Sequence, residues 1–317
     1  MKYERGVKMN VRKELNLWDL TNERIYVKID PAVIRSFFDY SVKFVGTQNR
    51  LSIMLKRKRL THIKEYKTGK SFVQLKLIKD ILNLLPHDMS IKFKKLLNDN
   101  LKEIKCSGSL SKPINNPKFP ITLNSSLVEL LGHLLGDGCI EFRSNCPIIW
   151  YTNKSEELLN RFSELIQNVF GNVNLYKRTQ RNGVKDIRCP TIIGMLLNEF
   201  LSFKSIKSLD FLANLVDGQK EIFLQALFDD EGCVTIPKYQ IIIEMTNKKL
   251  IQIIKTMLLE LGINSGKIRE VNSYYKRRYR LCISGKKNLE LFRNKINFVN
   301  SDKKYKLNTL LSSYKLK

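Results

Sequence analysis

Histidine is scarce in this chain, with three among 317 residues, His62, His87 and His133. So few argue against a hydrolase built on a histidine base and against a histidine-rich metal centre. The six cysteines, at 106, 139, 146, 189, 233 and 282, include no C-x-x-C pair, which removes a zinc ribbon and a redox dithiol and leaves reduced, intracellular thiols as the expectation. No apolar run approaches the ~18 residues of a spanning helix. The amino terminus, MKYERGVKMN, is charged from its second residue, so neither a signal peptide nor a membrane partner is expected and the location reads as cytoplasmic. Acid is in deficit too: 30 Asp and Glu face 56 Lys and Arg, a formal charge of +26. That excess calls for a polyanionic partner, and nucleic acid leads. Any hydrolysis must then rest on carboxylates, lysines and bound metal.

What is present is an ordinary globular composition, 43% hydrophobic and 27% charged, long enough for two or three domains. Residues 106–120, CSGSLSKPINNPKFP, hold three prolines among Ser, Gly and Asn, a composition of turns rather than periodic structure. A linker is expected over 106–122. Before it, Ala32 to Val45 and Leu75 to Leu85 carry helical apolar spacing, so residues 1–105 read as a small helical domain.

After the linker the chain repeats itself. LLGHLLGDGCI at 130–140 recurs as LQALFDDEGCV at 224–234, and Thr152-Asn153-Lys154 recurs as Thr246-Asn247-Lys248. Gly138 to Gly232 and Thr152 to Thr246 are both 94 residues apart. One shared offset for two separate matches predicts two structural copies, 123–215 and 216–317, forming a pseudo-dimer in one chain. Each copy predicts an apolar helix, a strand pair, a second helix, another strand pair and a closing helix. In copy one the strands fall near 140–142, 148–152, 173–177 and 185–188; in copy two near 234–236, 240–245, 267–271 and 279–283.

The first helix of each copy ends in an acid. Ser126-x-x-Glu129 offers a capping box for one helix and Asp217 an N-cap for the other, while Gly138 and Gly232 occupy the place of a C′ glycine. Asp137 and Glu231 then sit in the last turn, where the helix dipole disfavours an anion by ~0.3–1 kcal/mol and a cation reverses the penalty. Gly132 and Gly136 lie on one helical face, with Ala226 corresponding to Gly132; such small residues let two backbones approach. Pairing the helices about a pseudo-two-fold axis brings the acids together, and oxygen-only ligation suits Mg²⁺.

At these residues the chain resembles the LAGLIDADG homing endonucleases, with Leu130 to Gly138 as the first motif and Leu224 to Gly232 as the second, over about 123–317. The resemblance implies an α+β fold of two tandem αββαββα repeats, a pseudo-two-fold saddle seated as a monomer on double-stranded DNA. It implies a metal-dependent, site-specific endonuclease of intron homing, using Mg²⁺ or Mn²⁺ and leaving a staggered break with 3′ overhangs. Asp137 and Glu231 are then the catalytic and metal-binding acids, with Gly136 and Asp230 beside them in the metal set. A basic residue beside each acid is also implied: Lys207, with Lys204 as the alternative, and Lys304 in preference to Lys303 and Lys306. Three positions depart from the pattern: His133 stands in an apolar slot, Asp230 replaces a small residue, and Glu231 replaces Asp.

The basic hairpins supply the expected DNA contacts. These are Lys177, Arg178, Gln180, Arg181, Asn182, Lys185 and Arg188 in copy one, and Lys267, Arg269, Lys276, Arg277, Arg278 and Arg280 in copy two. Strand alternation would gather part of this set on one face of the sheet, reading base edges while other cations meet phosphate. Gln48–Leu55, a KRKR turn and Leu60–Tyr66 resemble a helix-turn-helix with Thr61, His62 and Lys64 toward DNA; a plain helical bundle bracing the nuclease is the other reading. Two further functions fit the scaffold, a non-cleaving regulator of WhiA type and an RNA intron maturase. An intein is not expected, because the chain begins at Met1 and ends YKLK without a terminal His-Asn pair.

Overall fold

The computed structural model describes residues 14–56, 62–107, 112–143, 146–181, 183–202, 206, 209–272 and 277–314. Its first part is mixed rather than helical. Strand β1 (Glu14–Leu15) and strand β2 (Ile25–Ile29) precede α1 (Pro31–Val45), which Asp30 caps by accepting from Ala32 N at 3.0 Å, with Pro31 at the first helical position. Then come α2 (Gln48–Met54), α3 (Ile63–Lys67), β3 (Val73–Gln74), α4 (Leu75–Leu82), α5 (His87–Asp99) and β4 (Leu101–Cys106). Ile25, Val27 and Ile29 alternate inward against Phe37, Ile78 and Ile104. The strands escaped notice because most are two residues long, too short for a period-2 signature.

The stretch expected as a linker is built into two sheets. Strand β5 (Ile114–Asn115) lies between β4 and β9 (Asn172–Val173) in a five-stranded sheet of order β3-β2-β4-β5-β9, and β6 (Ile121–Thr122) pairs with β1. Because β9 belongs to the first repeat, the amino-terminal part is joined to that repeat by backbone hydrogen bonds. Glu199 adds to the join by accepting from the Thr21 hydroxyl at 2.8 Å and from Asn22 N at 3.1 Å.

The repeat is structural. Copy one runs α6 (Ser125–Leu135), β7 (Gly138–Arg143), β8 (Cys146–Asn153), α7 (Glu156–Phe170), β10 (Tyr176–Thr179), β11 (Lys185–Arg188) and α8 (Thr191–Phe200). Copy two runs α9 (Asp217–Glu231), β12 (Gly232–Thr235), β13 (Gln240–Met245), α10 (Lys248–Glu260), β14 (Arg269–Asn272), β15 (Arg277–Ser284), α11 (Lys286–Lys295) and α12 (Ser301–Ser313). Both sheets are antiparallel, with orders β10-β11-β8-β7 and β12-β13-β15-β14. Written as first to fourth strand of each copy, the order is the same: first, second, fourth, third. In each, one face packs on helices. Ile149, Tyr151 and Ile187 are buried with Phe162 and Leu165, and Tyr151 stacks on Phe162 at 4.4 Å; Ile241, Ile243, Leu281 and Ile283 are buried with Ile251 and Ile254.

Candidate active site at the paired helix ends

Helix α6 is buried on every side from Leu127 to Leu134, as a sequence that is apolar apart from Glu129 and His133 suggests. Asn124, not Ser126, caps it by accepting from Leu127 N at 3.0 Å; Glu129 instead takes a two-pronged ion pair from Arg161 at 2.6 and 2.7 Å, tying α6 to α7. Val216 rather than Asp217 is the N-cap of α9, where its N–H donates to Gln219 Oε1 at 3.3 Å. The two helices lie along each other at glycine distance. A Cβ at Gly132 would sit 2.7 Å from Ala226 Cβ and 2.8 Å from the Phe223 carbonyl oxygen, and one at Gly136 would sit 2.6 Å from Asp230 Oδ2. Gly138 and Gly232 do something different: each lets the chain turn back against its own helix, since a Cβ there would lie 2.4 Å from Leu134 Cα and from the Phe228 carbonyl oxygen. Their role is close approach, and Gly232, at φ −80°, needs no left-handed backbone.

Asp137 and Glu231 therefore emerge at adjoining ends of the helix pair. Burial, then the charges of Asp230 and Glu231, push the Asp137 carboxyl up to about 7, against the pull of Lys303 and His133. Burial and Asp230 push Glu231 up as well. Asn153 fixes the first acid, its Nδ2 donating to Asp137 Oδ2 at 2.8 Å and to the Tyr151 hydroxyl at 3.2 Å.

The two unusual residues of the helix pair are partners. His133 Nδ1 lies 3.1 Å from both oxygens of Asp230, both side chains being essentially unexposed, and the Tyr151 hydroxyl donates to Asp230 Oδ1 at 2.7 Å. Burial lowers the His133 pKa, yet the charge of Asp230 outweighs it and the net shift is upward. Asp137 N also donates to Asp230 Oδ2, at 3.3 Å. Asp230 was expected among the metal ligands; with both oxygens engaged inside the protein, it is a buried brace instead. Gly136 makes room for it.

Lys303 is the cation over this site. Its Nζ donates to the carbonyls of Phe228 at 3.2 Å and Asp230 at 3.3 Å and makes a shorter contact with that of Asp229, so it closes the C-terminal end of α9. Burial pushes its ammonium down despite three acids nearby. Asp229 places it by accepting from Val299 N at 3.0 Å and Asn300 N at 2.9 Å, which fixes the start of α12, where Asn300 caps Lys303 N at 3.0 Å. Burial raises the Asp229 carboxyl to about 6 even with these donors. The expected lysine, Lys304, is exposed and turned away. One residue along a helix is about 100° of rotation, which a lysine-rich run does not reveal. Lys204 and Lys207 lie outside the described residues. Asn153 and Tyr151 were missed, and Lys303 was named only as an alternative to Lys304; the repeated Thr-Asn-Lys triplet was the signal for Asn153.

Among the described residues no group of three or more His, Cys, Asp or Glu side chains is arranged to hold a metal. Two carboxylates still fit Mg²⁺ or Mn²⁺, which take one or two protein carboxylates and complete the shell with water and phosphate. A cleft lined by Asp137, Asn153, Lys154, Asn300 and Lys303 opens it to the outside.

Strand register sorts the expected DNA contacts. Arg178, Asp186 and Thr152 are cross-strand neighbours on the face of the first sheet away from the helices, as are Tyr176, Arg188 and Trp150, with the Arg188 guanidinium 4.8 Å above the indole. Lys177 and Lys185 take the helix side, level with Ile187 and Asn153, and Lys185 pairs with Glu156 at the start of α7. In the second sheet Arg269, Arg278 and Arg280 share the outer face, whereas Arg277 lies on the other and pairs with Glu270 at 2.9 Å. Lys267 precedes β14 and Arg181 is exposed in the hairpin turn. Asn182, Lys276 and Thr61 lie outside the described residues; His62 and Lys64 are exposed at the short helix α3.

Two pseudo-equivalent α+β units, each delivering an acid from a shared helix pair, define the class. The chain belongs to the LAGLIDADG family: the model of the LAGLIDADG-like domain matches twice, at 126–201 and 218–297. The chain is similar to the glutamine–fructose-6-phosphate aminotransferase of Methanocaldococcus jannaschii, 29% identical over 63% of this chain and 19% of that protein. It is also similar to the replication factor C small subunit of the same organism (30%, covering 58% and 10%) and to the replicative DNA helicase DnaB of Synechocystis (29%, covering 55% and 22%). The chain thus spans about a fifth or less of the length of these relatives, whose names share no activity. Among solved structures it is similar to the homing endonuclease I-DmoI in complex with DNA and Mn (22% identical, covering 56% of this chain and 99% of that one, TM-score 0.43). Full-length DUF199/WhiA from Thermatoga maritima is another (15% identical, covering 60% of each, TM-score 0.42). No helix among the described residues is long and apolar enough to cross a membrane.

Proposed function

We propose that this protein is a site-specific endonuclease of double-stranded DNA that works with Mg²⁺ or Mn²⁺, one acid serving each strand. The observation that carries the reading is the convergence of Asp137 and Glu231 at adjoining ends of α6 and α9, beside a half-buried lysine. When bound, a divalent ion would be held by the two carboxylates and the Gly136 carbonyl, where it would supply Lewis-acid activation of water and of the leaving oxygen. Asn153 holds the Asp137 carboxylate in one orientation. Lys303 offers its ammonium to charge that builds on the phosphate. The outer faces of the two sheets carry Arg178, Arg188, Arg269, Arg278 and Arg280, which support phosphate contact and base reading along the duplex. The amino-terminal α2–α3 unit, with His62 and Lys64, extends that contact in the same reading.

The test is incubation with Mg²⁺ and a library of duplexes, comparing wild type with Asp137→Asn and Glu231→Gln. Sequence-specific double-strand cutting by wild type, reduced by roughly 10²-fold or more in each variant with binding retained, supports the proposal. Sequence-specific binding without cutting by wild type across the library overturns it in favour of a non-cleaving regulator.

A further inference from the structure

A carboxylate sits in the middle of the basic outer face of the first sheet. Asp186 alternates with Ile187 along β11, so it points away from the helix-packed side, yet its side chain is only 5% exposed. Its cover consists of its own partners. Arg178 Nη2 donates to Oδ2 at 3.0 Å, Gln180 Nε2 to Oδ1 at 2.7 Å, and the Thr152 hydroxyl to Oδ1 at 3.0 Å. Burial pushes this carboxyl up, but the three donors outweigh it and hold it below the usual range. On a chain carrying +26, an acid that only weakens attraction for a polyanion needs another role.

The donors show what that role is. Arg178 stays 56% exposed, so its guanidinium is clamped at one nitrogen while the rest faces outward. A guanidinium fixed in plane by a carboxylate loses less rotamer freedom when it makes a two-pronged contact. The commonest such contact in the major groove is with O6 and N7 of guanine. Gln180 has a matching constraint: one amide N–H is given to Asp186, which fixes the plane of the amide and leaves its oxygen and second N–H for a base edge. The second sheet repeats the device, with Arg280 donating Nε to Glu244 Oε1 at 2.5 Å across the outer face of β13 and β15.

We propose that Asp186 is a specificity-positioning residue that orients Arg178 and Gln180 to read one short patch of base pairs, with Glu244 doing the same for Arg280 in the other half. The proposal rests on the DNA-binding reading above and adds which residues set the sequence read and through what intermediary.

The experiment selects bound duplexes from a randomised library in the presence of a chelator, so that the DNA stays intact, using full-length wild type, Asp186→Asn, Arg178→Ala and Gln180→Ala. The expected result is a wild-type motif containing a guanine preference that falls roughly tenfold in both Asp186→Asn and Arg178→Ala. The rest of the motif is kept, and affinity of Asp186→Asn for non-specific DNA is equal or higher because a negative charge is gone. An acid that merely supported the fold would lower affinity at all positions alike. Should Asp186→Asn fail to fold, the two exposed-side variants decide: loss of preference at the same or neighbouring base pairs supports the proposal, and changes at unrelated positions overturn it. A wild-type motif unchanged by all three variants overturns the proposal but leaves DNA binding standing. A wild type that selects no sequence overturns DNA reading and this inference together.

Discussion

The two copies share a strand order and an acid, and differ in how each acid is held. In copy one Asp137 is gripped by Asn153, which leans on Tyr151, which leans in turn on Asp230 from the other copy. In copy two the residue 94 positions on, Asn247, does no such thing; it caps α10 by accepting from Leu250 N at 3.1 Å. The cap of the corresponding helix in copy one is Ser155, two residues later. Duplication therefore preserved topology while the asparagine took one task in each half. The helix pair diverged in a compensating way, because Gly136 in one copy opens the space that Asp230 fills from the other. Internal duplication within one chain permits such asymmetry, which two identical subunits could not carry.

The strongest way to break the comparison is to remove the partner of Asp230. His133→Leu, which copies Leu227 of the second repeat, leaves a buried carboxylate with less compensation and is expected to destabilise by about 3–5 kcal/mol. Adding Asp230→Ala should recover most of that loss, giving a clear coupling term in a denaturant-based double-mutant cycle. Additive losses would mean the pair does not act as a unit. Next comes Lys303→Met, expected to slow cutting by roughly 10²-fold and, as three carbonyls lose their donor, to cost about 1–3 kcal/mol of stability; single-turnover cleavage at a temperature where the variant is folded measures the first.

The paired asparagines sharpen the contrast at a smaller scale. Asn153→Ala is expected to slow cutting about tenfold, mainly at one strand, as the lost orientation of a single carboxylate. Asn247→Ala should leave the strand ratio alone and cost ~1 kcal/mol of stability, the ordinary loss of a helix cap. Strand-resolved gels and thermal melts separate the two. The smallest effect is on pH. With Asp137 raised from 3.8 to about 7 in the folded state, the native protein binds the extra proton in that window. Stability in the absence of metal should therefore fall as pH rises through it. The upward shifts of Glu231 and His133 act in the same direction. Mg²⁺ competes with the proton, so melts with added Mg²⁺ should show a shallower decline.

Much of the architecture was legible in the residues alone. The repeat gave two units, their order of elements and the acid at each helix end, because a duplicated core must keep its apolar spacing and the glycine that follows each acid. The composition also pointed to a polyanion, since charge is a sum over residues and needs no fold. The amino-terminal sheet and the strands within the supposed linker were not legible, as their pairing is between residues far apart in sequence and most of the strands are too short to alternate visibly, the five-residue alternation at Ile25–Ile29 being the one signal overlooked. Nor was the choice of Lys303 over Lys304, which is a matter of helix phase set by Asp229 holding the start of α12. His133 and Asp230 stood out in the sequence only as two separate misfits. That they bond to one another across the helix pair is a contact between positions 97 apart, and only tertiary structure decides such contacts because the energy of a buried charge depends on what surrounds it.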